Sequence, residues 1–516
     1  MINIDGKNLT LENCERVARR NESIALSPNA IKQIEVSHDN LQKLIRSGRP
    51  IYGINTGFGV FSDQSIPPED IRILNRNLIL SHAVGTGEPL DRDIVRNAML
   101  IRANTLSKGF SGVRPEVIGT LVEMINRGVT PVIPSQGSLG SSGDLCQLSH
   151  LALVLSTDAN DLVNESGMAE FSGELLPGKI AMQKAGIQRI ILEAKEGLAL
   201  NNGATFSAAI GALSLVDAGN LLDLSVLALS LTLEALLGCS NAFDSRIHQA
   251  RGMAGQELYA GWIRNMIAGS HWIDSTNRVQ DAYSLRCAPQ VCGAVVDTYN
   301  FGKDILTREL NAATDNPLIF DPGDAISGGN FHGEPTGLVM DYLKIAISEL
   351  SAVSERRIYR LLDSNLNAGL PAMLVSLDQK PGLNSGLMMP HYTAVSLTLE
   401  SQALANPDST RSLPASASQE DHNANSLTAA RHARDVIENT FHVLAIEILT
   451  ACQAITIRET LLGNRMLGKG TGNFYRIIRD QLNFIPTDHL WQEDILKIKT
   501  ILRQNEFQDQ LRDYLK

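Results

Sequence analysis

Apolar residues in the central part of the chain gather into stretches far longer than a β-strand can use. Ala204 to Leu237 is the most apolar, and residues 336–363, 393–406 and 427–462 mostly exceed the usual length of a globular helix, with small residues at many positions. Helices of that length need partners along their whole extent, so the pattern predicts a bundle over residues 111–466. Asp217, Asn220, Asp223 and Glu234 interrupt the 204–237 stretch, which makes it a poor membrane span and a good buried core helix. Residues 1–110 read differently. Short apolar runs alternate there with turn signals such as Ser47-Gly-Arg-Pro50 and Asn55-Thr-Gly57, predicting a smaller mixed or helical domain that carries loops. Beyond the break at Gly468-Lys-Gly-Thr-Gly472, the pattern of Leu496, Ile498, Ile501 and Leu502 marks residues 467–516 as an amphipathic helical segment. The expected fold is mainly α, a long-helix bundle core with a smaller N-terminal domain.

Composition and charge narrow the function. Aromatics are only 5% of the 516 residues, while Ala, Leu and Ile dominate, which favours helices. A net charge of −11 and a pI near 5.5 argue against nucleic acid or an anionic membrane as partner. The six cysteines are widely spread with no Cys-x-x-Cys pair, so neither a disulfide framework nor a zinc site is expected. The N-terminus has no long apolar region behind a basic start, so a secretory signal is not expected and a cytoplasmic location is. The 468–472 glycine run lacks a Gly-Lys-Ser/Thr ending and reads as a linker rather than a phosphate loop.

Residues 137–144, Gly-Ser-Leu-Gly-Ser-Ser-Gly-Asp, lead straight into the apolar stretch 145–155. If the chain bends enough to bring the amide nitrogen of Gly143 onto the carbonyl of Ser141, the segment cyclises. Loss of water from Ser142 then leaves an exocyclic methylidene, an electrophile made from the chain. Glycine at 143 has no Cβ to block the approach. Most Gly/Ser clusters are plain loops, but this one lies between Pro131-Val-Ile-Pro134 and a helix whose N-terminal end favours negative charge.

Such an electrophile needs a substrate amine, a base and a carboxylate clamp. Tyr52, beside the glycine-rich turn 53–59, could expose its hydroxyl to a cleft, given donors or positive charge to favour phenolate; the alternative is a packed aromatic. Gln280, Tyr283 and Arg286 are spaced i, i+3, i+6, close to one face of a helix, where Arg286 could grip a carboxylate beside a Tyr283 hydrogen bond. The alternative there is a solvated arginine. The polar loops 274–290, 311–334 and 411–426 could meet at one end of a bundle.

From Tyr52 to His422 these segments recur in the order seen in the aromatic amino-acid ammonia-lyase family, which the chain resembles over nearly its whole length. Members build a methylidene-imidazolone, MIO, from Ala-Ser-Gly; here the triplet is Ser141-Ser142-Gly143, and Gln147 stands where the histidine-specific branch has proline. The segment Tyr52-Gly-Ile-Asn-Thr-Gly-Phe-Gly59 looks like the one bearing the catalytic base, and Glu196-Gly-Leu-Ala-Leu-Asn-Asn-Gly203 like the one whose asparagine, here Asn202, holds the MIO oxygen and the substrate carboxylate. Gln-Asp-Ala-Tyr-Ser-Leu-Arg at 280–286 matches with Ala282 in place of proline. Asn311-Ala-Ala-Thr-Asp-Asn-Pro317 and Gly328-Gly-Asn-Phe-His332 complete the set, with Phe331 expected against the substrate. Ser81-His82 resembles the histidine branch, where the histidine contacts the substrate ring. Glu420 stands where the phenyl and phenol branches commonly carry glutamine, and a carboxylate can pair with an imidazole. By contrast, Asn423-Ala-Asn425 replaces the histidine branch's Val-Ser-Met, and Gly333 resembles the phenyl and phenol branches.

The resemblance implies a carbon–nitrogen lyase that eliminates ammonia from L-histidine to give trans-urocanate. Tyr52, Ser142, Asn202 and Tyr283 would be catalytic, and His82, Asn202, Gln280, Arg286, Phe331 and Glu420 would bind substrate. Rivals are a tyrosine or phenylalanine lyase, a 2,3-aminomutase, and a catalytically silent helical scaffold. It also implies a homotetramer whose sites are built from three subunits, with Tyr52 and Arg286 supplied by chains other than the one carrying Ser142.

Overall fold

A computed structural model of the protein describes residues 1–321, 323–463, 465–482 and 486–516. Nineteen α-helices, six 3₁₀ turns and short strands account for the regular structure among them. The long apolar stretches are the long helices Thr205–Ala235, Glu334–Leu362, Met388–Leu404 and Ser426–Leu462, each within a few residues, or five at one end, of the predicted bounds. Two of them, Thr205–Ala235 and Ser426–Leu462, have the length and apolarity to cross a membrane, yet their most apolar windows are 72% and 89% buried inside the protein.

The described residues divide into two compact units, neither continuous in sequence. The first comprises Met1–Val216, Gly302–Asp341 and Pro407–Arg431; the second comprises Asp217–Phe301, Tyr342–Asn406 and His432–Lys516.

In the first unit, a parallel pair of strands, Ile2–Ile4 and Ile24–Leu26, brackets helix Leu11–Arg19, which starts on a Thr10/Asn13 capping box. Helix Arg92–Leu106 is buried on every side for most of its length. Its polar side chains therefore have to find partners inside. Arg96 donates to Val17 O and Ile125 O, Asn97 to Ala209 O and Asn104 to Leu310 O. Strands Thr130–Pro131, Met168–Phe171 and Glu174–Pro177 form an antiparallel sheet. A cluster of Leu41, Ile54, Ile71, Ala194 and Ile319 packs together as one patch of the core, and Ile54 belongs to the turn that carries Tyr52.

In the second unit, Glu447 on helix Ser426–Leu462 is fully buried and accepts from Arg357 Nε and Nη2 at 2.5 and 2.7 Å, from Thr232 Oγ1 and from Ser354 Oγ. A buried charge is tolerable only with this degree of pairing. Helices Ala254–Ile267, Lys469–Gln481, Trp491–Leu502 and Asn505–Leu515 also belong to the unit, with Phe474 edge-on to Phe507 and Tyr514.

Candidate active site

The Ser-Ser-Gly turn is held by backbone before any side chain is considered. Gly143 has φ +83° and forms a parallel bridge with Gly203, itself at φ +113°. Asp144 N donates to Gly203 O at 2.9 Å, and Gly203 N donates to Ser142 O at 3.1 Å. A Cβ on Gly143 would fall 2.0 Å from the Gly203 carbonyl carbon, so no other residue fits. On the other side, Asn202 Nδ2 donates to the same Ser142 oxygen at 2.8 Å. Two donors thus converge on one carbonyl, which is the arrangement that stabilises negative charge growing on that oxygen.

Helix Leu145–Leu155 begins three residues after Ser142, as the sequence suggests. Asp144 stands at its start, wholly buried, and its carboxylate accepts from Ser207 N at 2.7 Å, from Ser207 Oγ and from Ser138 Oγ. Burial pushes the Asp144 carboxyl above its ordinary range, against the pull of those bonds.

Ser141 and Ser142 open onto a cavity of about 1150 Å³ that also takes lining from Tyr52, His82, Asn202, Asn316, Phe331 and Glu420. Six of the sequence-predicted residues therefore share one space with Ser141. Ser142 Oγ donates to Glu420 Oε1 at 2.9 Å. His82 sits at the C-terminal end of helix Ile71–His82, its Nδ1 3.0 Å from Ser81 Oγ. Burial lowers the His82 pKa, while the Leu78 carbonyl and the Glu420 charge work in the other direction. Tyr52 lies T-shaped to Phe58, the ring centroids 6.5 Å apart. Burial raises its phenol above the ordinary value, a backbone bond with Gly59 opposes this, and the Glu420 charge adds to the rise. Asn202 Oδ1 is buried with no partner among the described residues, an acceptor that an ammonium group could fill.

Gln280, Tyr283 and Arg286 are not among the residues lining this cavity. They belong to the second unit. The helix expected to carry all three is a single turn, Tyr283–Arg286, because Ala282 is extended at φ −67°, ψ 162° and the chain before it is tied down by Asp281, which accepts from Cys239 N and pairs with Arg278. Gln280 therefore lies outside the helix. Arg286 Nε donates to Asp281 O, and its guanidinium lies 4.6 Å from the centroid of the Tyr283 ring, which is 70% exposed. Tyr52, by contrast, was expected from a different chain than Ser142. It lines the same cavity of the same chain, because the turn that carries it packs within the unit that also holds residues 137–144.

Sequence reasoning assigned no role to the residues beneath the site. Lys195 and Asp315, both fully buried, pair at 2.7 Å through both carboxylate oxygens. Lys195, in the left-handed region at φ +73°, starts the short helix Glu196–Asn201 that delivers Asn202. Arg102 donates to Ala199 O at 3.0 Å, to Thr205 Oγ1 at 2.5 Å and to Thr314 Oγ1 at 3.3 Å, directly behind Gly203. Asn316 Oδ1 accepts from Gly328 N at 2.7 Å, tying the loop before Pro317 to the loop that presents Phe331. The segment 311–317 contains Asp315 and Asn316, but nothing in its spacing distinguishes them.

Comparison with known proteins gives this geometry its context. The family model for aromatic amino acid lyases matches residues 9–480. The histidine ammonia-lyase of Caldanaerobacter subterraneus subsp. tengcongensis is 46% identical over 513 residues, covering 99% of this chain and 98% of that one. The crystal structure of the Trypanosoma cruzi histidine ammonia-lyase superposes with a TM-score of 0.90 at 35% identity, over 99% of this chain and 95% of the other. The tyrosine aminomutase of Streptomyces globisporus superposes at 0.92 with 32% identity, over 99% and 98%. With matches of that extent over nearly its whole length, the chain belongs to the aromatic amino acid lyase family.

Proposed function

We propose that the protein eliminates ammonia from L-histidine to give trans-urocanate, using an MIO formed from Ser141-Ser142-Gly143. The residues present fit that group: Gly143 has no room for a side chain, and the Ser142 oxygen, which the ring would retain, already has the donors Asn202 Nδ2 and Gly203 N. The group would supply an electrophilic carbon to which an amine adds, turning ammonia into a better leaving group. The chain's own residues do the rest. Tyr52 takes the β-proton, Asn202 and Gly203 steady the ring oxygen, and Phe331 bounds the space for the substrate.

Glu420 carries the choice of substrate. Its carboxylate is 2.9 Å from Ser142 Oγ, in the cavity that His82 also lines. A carboxylate there suits an imidazole N–H, whereas a phenyl ring would leave it unpaired, at a cost of about 1–3 kcal/mol. The curated relatives named histidine ammonia-lyase support the same choice. The test is product analysis with a panel of amino acids, together with Glu420→Gln. Histidine should be consumed with urocanate and ammonia as products, and kcat/KM should fall about tenfold to a hundredfold in the variant. Conversion of tyrosine or phenylalanine in preference, a β-amino acid product, or unchanged histidine kinetics in Glu420→Gln would sink this assignment.

We further propose that Gln280, Tyr283 and Arg286 bind the substrate carboxylate in a neighbouring subunit of a homotetramer. Supporting this, Val279 and Tyr283 are 90% and 70% exposed, and helices of the second unit present Ile345, Tyr392 and Leu399 to solvent. Large exposed apolar groups of this kind are a common mark of association surfaces. The six free cysteines are consistent with a reducing, cytoplasmic setting.

A further inference from the structure

Two departures touch one another, Ser141 from the pattern of the family and Asn423 from that of its histidine branch. Ser141 stands where the family has alanine, and Asn423 begins the Asn-Ala-Asn stretch that replaces Val-Ser-Met. Both are buried, 3% and 0% exposed, and the Ser141 hydroxyl donates to Asn423 Oδ1. The rest of Asn423 is committed to its own loop: Nδ2 donates to Leu413 O, and the backbone N–H donates to Ser412 Oγ at 2.9 Å. Between those two ends the loop turns back on itself. Ala415 and Glu420 exchange both backbone bonds, at 2.8 and 3.3 Å, across a turn in which Ser416, Ala417 and Ser418 all have φ of +50° or more. Asn423 therefore staples the base of the turn that carries Glu420, and Ser141 ties that staple to the residue next to Ser142.

The tie matters more after the chain has cyclised than before. Among the bonds described for Glu420, the side-chain one comes from Ser142 Oγ, and that oxygen leaves as water when the methylidene forms. The carboxylate is then free for a ligand but has lost what held it. The Ser141 hydroxyl lies outside the ring-forming bonds and is not consumed, so its bond to Asn423 persists.

We propose that Ser141 and Asn423 are a positioning pair that fixes Glu420 over residue 142 in the mature site and thereby sets the preference for an imidazole over a phenyl ring. This rests on the reading of Glu420 as the imidazole partner. The test uses full-length protein with Ser141→Ala, Asn423→Leu, the double variant and, as a control, Glu420→Gln. Each is assayed for intact mass, for thermal midpoint and for inhibition by urocanate and by trans-cinnamate, which differ in the ring they offer. Ser141→Ala should still lose two waters, since the side chain is no part of the ring. Urocanate should bind about tenfold more weakly to each single variant with cinnamate nearly unchanged, and the double variant should be little worse than either single one. A merely structural role would weaken both ligands alike and lower the midpoint. Equal losses for the two ligands, singles whose effects multiply, or no change in urocanate binding would each overturn the pair. Should Ser141→Ala be recovered unfolded, Asn423→Leu carries the same comparison. If Glu420→Gln itself leaves urocanate binding unchanged, the imidazole reading fails; if it weakens urocanate while the pair variants do not, the pair alone fails.

Discussion

At Gly143 a methyl group has nowhere to go. Its Cβ would sit 2.0 Å from a backbone carbon rather than from a side chain able to turn aside, and the glycine's φ of +83° adds strain for any L-residue. Gly143→Ala should therefore accumulate with the full, unmodified mass and show no turnover, as intact-mass measurement and an ammonia assay would reveal. Retention of the two-water loss in that variant would contradict the geometry. Tyr52 makes a second prediction. Burial and the Glu420 charge hold its phenol above the ordinary value, so at neutral pH little of it is phenolate. Turnover should climb by about tenfold per pH unit while the phenolate fraction is the limit, without levelling off below about pH 10, and Tyr52→Phe should cost about 10²–10⁴ in kcat and abolish the climb. A plateau reached near pH 7 would mean that another group is the base. Ser142 stands out in the sequence from the chemistry of its turn, whereas Tyr52 and Glu420 stand out only through resemblance to the family; all three line one cavity. The Ser141–Asn423 bond was not legible in sequence, because it joins residues 282 positions apart and neither is unusual alone.

The helix Glu196–Asn201 is only six residues long, too short to be stable without support. Its footing is the Lys195–Asp315 pair, and Arg102 takes up Ala199 O near its C-terminal end. Removing one partner of a buried pair leaves the other charge uncompensated, so Lys195→Met should destabilise by about 3–5 kcal/mol, while Lys195→Met/Asp315→Asn should lose less than the two single changes together. Urea unfolding of the four proteins would measure this, and strict additivity would count against the pair as the footing. Elements of this size explain where pattern reading stopped. The one-turn helix Tyr283–Arg286 was extended back to Gln280 because side-chain spacing alone cannot register that Asp281 is held by Cys239 N and Arg278. The long helices suffered no such ambiguity: in Thr205–Ala235 the apolar pattern persists through many turns, and its ends were legible to within a few residues.

For the whole molecule, the division of site residues yields a test by mixing. Tyr52 lines the cavity of the chain that carries Ser142, and Arg286 does not. With sites shared between subunits as proposed, co-assembling Arg286→Ala chains with Ser142→Ala chains should restore part of the activity, because some sites would then receive an intact turn from one subunit and an intact arginine from another. Mixing Tyr52→Phe with Ser142→Ala should restore none, and an active monomer in sedimentation would refute both. The bundle was foreseeable from apolar length, but that Tyr52 and Ser142 line one cavity of the same chain was not, since sequence order alone does not show which segments pack together. The clamp between Gly143 and Gly203 has one more consequence. If the MIO forms as proposed, segments about sixty residues apart must already lie side by side before the Ser142 carbonyl is gripped, so an unfolded chain leaving the ribosome would carry no reactive carbon to trap cellular amines. Arming would then wait on folding, and the two lost waters would not return. Each polypeptide's mass would thus become a covalent memory of having folded, still legible after denaturation and able to separate variants that never folded from those that folded and later failed.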